Sequence, residues 1–138
     1  MEFENKLVAV LNEKIEPGTL MNALAHATVG LGALVGKENL QLTDYQDKSG
    51  NSHANVSEMP FIVLSARNSG KLREYRKALL AEGIAFVDFT DTMTIGTYVE
   101  QIERSAITLE ENLEYYCVVA FGNFTKLSEL TKKFSIWK

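Results

Sequence analysis

The chain has 138 residues, of which 46% are hydrophobic and 23% charged, and its formal net charge at pH 7 is −4. This composition is ordinary for a globular protein, and the length fits a single domain over residues 1–138 that is large enough to bury a core. The aliphatic content excludes a disordered chain, and the single cysteine excludes a disulfide scaffold. The acidic balance also argues against a protein that binds nucleic acid by bulk charge.

The first residues do not have the pattern of a secretory signal, because residues 1–6 are polar and acidic. No uninterrupted apolar run approaches the roughly 18 residues that a membrane span needs. Cys117 has no second cysteine to pair with, which suits a reducing compartment. We therefore expect a cytoplasmic protein that does not span a membrane.

A strand and a helix are predicted at the start of the chain. Residues 6–11 form an almost continuous apolar run, typical of a strand covered on both faces. Pro17 and Gly18 then break the chain, and Thr19 is placed to cap a helix that extends to about Val35. This helix is rich in alanine and glycine. Since glycine inside a helix costs up to about 1 kcal/mol, we expect compensation from close packing against a sheet or a partner chain.

A long hairpin is predicted next. Residues 40–45 alternate between apolar and polar, whereas residues 61–64 are apolar throughout. We interpret these two segments as paired strands. The polar stretch between them, residues 47–58, is predicted to be an exposed loop.

The second half of the chain is predicted to contain further helices and strands in turn. A helix is predicted from residue 69 to about residue 82, followed by a strand over residues 84–89 and a strong strand over residues 116–121. Leu127, Leu130 and Phe134 have helical spacing, which predicts a last helix. This order favours an α/β fold in which a mixed β-sheet is flanked by helices in a three-layer arrangement.

The segment between residues 90 and 114 is the least regular. Residues 98–102 are compatible with a helical turn, and Thr108 with Glu111 matches the spacing of a capping box.

Polar side chains follow the first predicted strand and continue along one side of the next helix. Ligands of open α/β sheets bind beyond the carboxyl ends of strands, and the first strand ends near Asn12. Thr19, Asn22 and His26 follow at i, i+3 and i+7, which places them in one stripe. We expect these four residues to line a cleft, unless Thr19 only caps the helix and the other polar groups bond to neighbouring backbone.

A second polar group lies at the end of the strand over residues 84–89. There, Asp91 stands between the hydroxyls of Thr90 and Thr92, where a carboxylate can bind a ligand or orient a water molecule. A turn in which Asp91 bonds to nearby backbone explains the same residues.

Other candidate chemistry is weaker. Five basic residues cluster within a short stretch and fit either a phosphate site or a solvated helix face, and we favour the solvated face; they are Arg67, Lys71, Arg73, Arg76 and Lys77. Two histidines and one cysteine predict no metal site, and no cofactor motif is present. Cys117 lies inside an apolar strand and is expected to be an inert core thiol.

Several motifs in this order carry a resemblance to a known family. They are the strand over residues 6–11, the helix sequence Ala25-His26-Ala27-Thr28-Val29-Gly30, Phe89-Thr90-Asp91, and the apolar strand with Gly122 at its end. This arrangement is similar to the type II peptidyl-tRNA hydrolase superfamily, in which a Gly-Lys-x-Ala-Ala-Gln-x-x-His-Ala helix follows the first strand and an Asp-Ala-Gly turn precedes the last. Residues 130–138 and the Arg73-Glu74-Tyr75 helix resemble more closely a separate bacterial branch, a domain family of unknown function.

The resemblance covers nearly the whole chain and implies a type II peptidyl-tRNA hydrolase-like fold and a homodimer. It assigns the family's functional positions to Asp91 and His26. The family's motif lysine falls on Thr19 and its glutamine on Ala23. Thr19 cannot supply a cation to a developing oxyanion, and the net negative charge argues against tRNA as a partner.

Three functions follow from these observations. The first is binding of a small polar ligand or a chain end by Asn12, Thr19, Asn22 and Thr90 beside Asp91 and His26. The second is hydrolysis of peptidyl-tRNA or a related ester or amide, with Asp91 orienting water and His26 assisting. The third is a homodimeric scaffold without enzymatic activity.

Overall fold

Seven strands and five α-helices occur along residues 3–138, the part of the chain that this computed structural model describes. The strands are β1 (Asn5–Asn12), β2 (Leu42–Gln46), β3 (Ser52–Ser57), β4 (Phe61–Ala66), β5 (Ala85–Thr90), β6 (Tyr115–Asn123) and β7 (Ser135–Ile136). The helices are α1 (Pro17–Val35), α2 (Lys37–Leu40), α3 (Ser69–Glu82), α4 (Tyr98–Ala106) and α5 (Phe124–Thr131). Short 3-10 turns occupy Asp91–Met93 and Glu110–Asn112.

Five strands form one mixed sheet in the order β5-β6-β1-β4-β7. Strand β1 is parallel to β4 and antiparallel to β6, and β6 is antiparallel to β5. Strands β1, β4 and β5 therefore end at the same edge of the sheet. Helix α1 covers one face, while α3 and α5 cover the other. The predicted mixed α/β fold with helices on both faces of the sheet is confirmed.

The core on the α1 face contains small side chains of this helix. Ala23 and Ala27 are fully buried against the sheet, between the larger Leu20 and Leu31. A Cβ atom at Gly30 would lie 3.8 Å from the methyl groups of Val87 in β5, an ordinary contact distance. The alanine-rich side of α1 thus packs on the sheet as the sequence predicts.

The predicted hairpin between residues 40–45 and 61–64 is wrong. Strand β2 pairs with β3 in a separate two-stranded ribbon, because the Asp47 carboxylate accepts hydrogen bonds from the backbone N–H groups of Ser49 and Asn51 and closes a turn there. Strand β4 instead lies parallel to β1 in the main sheet. Its continuous apolar sequence is what a strand covered on both faces requires.

Three predicted helix boundaries also differ from the structure. Helix α1 begins at Pro17 after Glu16, so Thr19 does not cap it. The capping box belongs to Thr97 and Glu100 at the start of α4. Helix α5 ends at Thr131, and the Phe134 ring packs edge-on against Tyr75 at a centroid distance of 5.5 Å.

By length and hydropathy alone, α1 is a candidate for crossing a membrane. Asn22 and His26 interrupt the apolar residues of this helix, so it contains no long uninterrupted apolar run. Core helices have the same composition, and one side of α1 packs on the sheet.

Candidate functional site

The polar stripe of α1 borders a cleft of about 540 Å³. Asn22 and His26 lie one helical turn apart on the side of α1 that faces β5 and the start of α4, and both side chains are exposed. Twelve residues line this space, which we call the α1–α4 cleft: Asn22, His26, Ala27, Val87, Asp88, Phe89, Met93, Thr94, Gly96, Thr97, Tyr98 and Gln101. Two residues of the predicted polar stripe thus border the same cavity.

Strand β5 forms the inner wall of the cleft. The imidazole of His26 stacks on the buried ring of Phe89, with ring centroids 6.0 Å apart and planes inclined by 26°. Phe89 also contacts the ring of Tyr116 at a centroid distance of 6.1 Å. Because β5 is an edge strand of the sheet, the cleft lies beside backbone that no further strand covers within residues 3–138.

A network of polar groups holds the opposite wall in place. The hydroxyls of Thr90 and Thr92 lie 2.9 Å apart, and Ser105 of α4 donates to Thr92 Oγ1 at 2.8 Å. Arg104 donates from one guanidinium nitrogen to the carbonyls of Thr92 and Ile95. Helix α4 is thus anchored by its polar side, which fixes the position of Tyr98 and Gln101 across the cleft from α1.

The structure brings Asn12 and Asp91 to the same place, the start of β6, but not into the α1–α4 cleft. The buried Asn12 amide donates to the Tyr115 carbonyl, and its oxygen accepts from the Lys14 N–H. One carboxylate oxygen of Asp91 accepts from the backbone N–H of Glu114 at 3.0 Å, and the Asp91 N–H donates back to the Glu114 carbonyl. Both side chains therefore join the ends of neighbouring strands.

The two predicted threonines also lie outside the α1–α4 cleft. Thr90 is buried, and its hydroxyl is engaged with Thr92. Thr19 is exposed on the first turn of α1 and does not line the cleft. Of the six predicted site residues, the structure gathers Asn22 and His26 in one cavity.

The residues that sequence reasoning missed are those of the segment between β5 and α4. Thr94, Thr97, Tyr98 and Gln101 all line the cleft. The apolar spacing of Ile95, Tyr98, Val99 and Ile102 indicates an amphipathic helix, a signal that was available in the sequence. That signal finds the helix but not its position beside α1, which depends on the hydroxyl network around Thr92.

The clustered basic residues have separate roles in the structure. Arg73 pairs with Glu110 at 3.0 Å and Arg76 pairs with Asp88 at 2.9 Å, and both guanidinium groups are largely shielded from solvent. For these two residues the favoured interpretation of a solvated helix face is wrong. Arg67 and Lys71 line a second cavity at the carboxyl ends of β1 and β4.

Cys117 is fully buried, and burial raises the pKa of its thiol to about 12. The thiol therefore stays protonated at neutral pH, which does not suit a nucleophile. No group of three or more His, Cys, Asp or Glu side chains that could hold a metal ion occurs among the described residues.

Comparisons with known proteins identify a family and a fold but no activity. Residues 5–138 match the family described as "Protein of unknown function (DUF2000)". The structure is similar to that of a protein of unknown function, Atu0240, from Agrobacterium tumefaciens strain C58, with a TM-score of 0.85 and 16% sequence identity over 99% of this chain and 100% of that chain. A comparison with curated proteins finds no match.

Proposed function

The chain belongs to this DUF2000 family of unknown function, and we propose that it binds a small, neutral, amide-containing ligand or the end of a peptide chain in the α1–α4 cleft. The observation that supports this proposal is the convergence of Asn22 and His26 with Thr94–Gln101 around one cavity. Cavities with a few convergent polar groups among apolar walls are the usual form of small-molecule sites.

The chemistry of the walls favours a neutral amide. Asn22 and Gln101 present side-chain amides, which complement the N–H and C=O groups of a peptide unit. Asp88 is the one acidic residue among the described residues that line the cleft, and its carboxylate is paired with Arg76 of α3, which covers the other face of the sheet. Phe89 and Tyr98 add apolar ring surface for a neighbouring side chain of the ligand.

Binding is favoured over hydrolysis by the positions of the two residues that the hydrolase hypothesis needs. Thr19 stands at the position of the motif lysine of the type II peptidyl-tRNA hydrolase superfamily, but it has no charge and lies outside the cleft. Asp91 uses one carboxylate oxygen to hold Glu114. Kinship with the type II peptidyl-tRNA hydrolase superfamily is part of this proposal: the order of the motifs supports it, and the ancestral reaction has been lost.

Ligand binding is tested by nuclear magnetic resonance with N-acetyl-phenylalanine amide as the probe. The chain has two histidines, so the imidazole signal of His26 reports on the cleft while that of His53 is an internal control. His53 lies in the β2–β3 ribbon, where its Nε2 atom is 2.9 Å from the Asp47 carboxylate. We expect the probe to shift the His26 signal and leave the His53 signal unchanged.

The matched variants are Asn22→Ala, which removes a cleft amide, and Asn39→Ala, which removes an amide on α2 away from the cleft. Asn22→Ala is expected to weaken binding by about tenfold, the equivalent of one hydrogen bond, and Asn39→Ala to leave it unchanged. Equal shifts of both histidine signals would contradict the proposal. Release of phenylalanine amide from the probe, lost in Asp91→Asn, would favour the hydrolase instead.

The exposed side of α4 favours a second function, self-association. Ile95, just before α4, and Tyr98, Val99 and Ile102 on it expose between 63% and 79% of their surfaces. Val29 on the adjacent α1 is 75% exposed. Exposed apolar side chains that are close together mark interaction surfaces more often than ordinary protein surface, and a standard interface buries roughly 800 Å² on each partner. A second copy docked on α4 would also enclose one side of the α1–α4 cleft.

Sedimentation at micromolar concentration tests this second function. We expect a dimer for the parent protein and a monomer for Ile102→Asp, because a carboxylate buried in an apolar interface is strongly unfavourable. Leu80→Asp is the control, since Leu80 is a similarly exposed apolar residue on α3. A parent protein that stays monomeric, or a Leu80→Asp variant that dissociates equally, would remove the scaffold hypothesis.

A further inference from the structure

A second cavity, of about 360 Å³, lies at the carboxyl ends of the parallel strands β1 and β4. Glu13 follows β1, and its N–H donates to the Ala66 carbonyl at the end of β4, so the two strand ends are held together. The remaining lining residues come from β4 and the loop after it, from α3, and from the chain around the start of β7: Ser65, Arg67, Lys71, Lys133, Phe134 and Ser135. This edge of a parallel strand pair is where open α/β sheets bind ligands.

Three cations from two distant segments of the chain converge on this basic cavity. Arg67 follows β4, Lys71 lies in the first turn of α3, and Lys133 follows α5. Lys71 Nζ and Lys133 Nζ are 3.8 Å and 4.0 Å from the same carboxylate oxygen of Glu74. Glu74 does not line the cavity, so it brings the two ammonium groups near each other without filling the space between them and Arg67.

The local charge is opposite in sign to that of the whole protein. The chain carries a net charge of −4, whereas three cations and one carboxylate, that of Glu13, line this cavity; counting also the Glu74 carboxylate beside the two lysines leaves a local formal charge of 3 − 2 = +1. Three cations at one site suit an anion with several oxygens, because each ammonium or guanidinium group donates charge-assisted hydrogen bonds. A phosphate group presents such oxygens and carries close to two negative charges at neutral pH.

The uncharged and acidic groups of the cavity indicate that its ligand carries hydroxyl groups in addition to a phosphate. Ser65 and Ser135 are directly paired across β4 and β7, so two hydroxyl groups stand side by side. Glu13 supplies an acceptor, which phosphate oxygens do not use but a hydroxyl of an attached sugar does. A neighbouring cavity of about 320 Å³ shares Glu13, Ser65 and Ser135 and extends the site toward Trp137.

We propose that the basic cavity binds a small phosphate monoester of the sugar-phosphate class, with the phosphate between Arg67, Lys71 and Lys133 and the sugar hydroxyls beside Glu13 and the two serines. This site is separate from the α1–α4 cleft and shares no lining residue with it.

The single tryptophan of the chain gives a direct test. Trp137 lines the neighbouring cavity, and its backbone N–H donates to the Val63 carbonyl, which holds this part of the chain beside the site. We expect titration with ribose 5-phosphate to change the fluorescence of Trp137 in a saturable manner. Inorganic phosphate should bind more weakly, and ribose or sodium chloride at matched ionic strength should have no saturable effect.

Variants that are expected to change the dissociation constant in opposite directions make the test more specific. Lys71→Ala and Lys133→Ala should each raise the dissociation constant for ribose 5-phosphate by about tenfold, whereas Glu74→Gln should lower it several-fold by removing a competing carboxylate. Lys77→Ala removes the same charge from the same helix at a residue outside the cavity and should bind as the parent does. A fluorescence change reproduced by sodium chloride, or equal losses in Lys77→Ala and Lys71→Ala, would overturn the proposal. If the amide probe does not bind in the α1–α4 cleft, the proposal for the basic cavity is unaffected.

Discussion

Helices α3 and α4 are both amphipathic surface helices, but they use their apolar sides in opposite ways. Helix α3 buries Leu72, Tyr75 and Leu79 against the sheet. Helix α4 buries none of its side chains, and Tyr98 and Ile102 are 79% and 66% exposed. The same spacing of apolar residues thus leads to core packing in one helix and to an open surface in the other.

The polar sides of the two helices explain this difference. On α3, Arg73 and Arg76 reach Glu110 and Asp88 at the edges of an apolar contact that is already formed. On α4, hydrogen bonds from Arg104 and Ser105 to residues around Thr92 are the main attachment to the rest of the chain. An amphipathic sequence therefore predicts that a helix has an apolar side, but not that the same chain buries it.

The largest expected effect is on the apolar side of α3. Leu79→Ala should lower the free energy of unfolding by about 2–5 kcal/mol, because it removes buried methyl groups and leaves a cavity. Ile102→Ala should change that free energy by less than about 0.5 kcal/mol in the monomer, since Ile102 is exposed. Urea denaturation measures both values. A large loss of stability in Ile102→Ala would show that Ile102 is packed against the rest of the chain, and the difference between α3 and α4 would then not hold.

Substitutions on the polar sides of α3 and α4 should have intermediate effects on stability. Arg73→Ala should lower the global free energy of unfolding by about 1–3 kcal/mol, because Glu110 and the Leu113 carbonyl lose a charged donor. Arg104→Ala should instead open α4 locally, since the lost bonds attach only this helix. Hydrogen exchange should then show faster exchange of the amides of α4 with little change elsewhere. Uniformly faster exchange throughout the chain would contradict this expectation.

The smallest effect is a dependence on pH around Glu110. The hydrogen bond from the Tyr115 hydroxyl, followed by the hydrogen bond from Arg73, lowers the pKa of Glu110 in the folded protein. A carboxyl with a lowered folded pKa stabilises the fold above its unfolded pKa of about 4.3, and this contribution disappears as the pH falls through the folded value. Between about pH 5 and pH 3, the midpoint temperature of thermal unfolding should therefore fall less steeply with decreasing pH in Glu110→Gln than in the parent. The exposed Glu103 on α4 provides the matched control, Glu103→Gln; equal slopes in all three proteins would remove Glu110 as a source of the pH dependence.

Local patterns were sufficient to predict most elements. The apolar runs of β1 and β6 and the helical spacing in α3 identify these elements because each is buried on a regular set of positions. The pairing of β4 was predicted wrongly because an apolar run shows that a strand is buried without naming its neighbour. The Asp47 turn, which closes the β2–β3 ribbon, was the local signal that could have corrected it.

The candidate site was predicted only in part, because local spacing shows which residues share a side of a helix but not what lies opposite them. Asn22 and His26 share one side of a helix, a relation that depends only on their spacing. Asn12 and Asp91 were correctly assigned to strand ends at one edge, but whether a polar side chain meets a ligand or the backbone depends on the groups placed opposite it. For both residues those groups belong to the start of β6, some 20 to 100 residues away along the chain.

The amino-acid sequence by itself determined the α/β class, the burial of β1 and β6 and the polar stripe of α1, because periodicity and composition act over a few neighbouring residues. Only the tertiary structure decided that Asp91 joins two strands, that α4 turns its apolar side outward and that Arg67, Lys71 and Lys133 meet in one cavity. These outcomes depend on contacts between segments far apart in the chain, and the free energy of such contacts is set by the whole packed arrangement rather than by any local pattern.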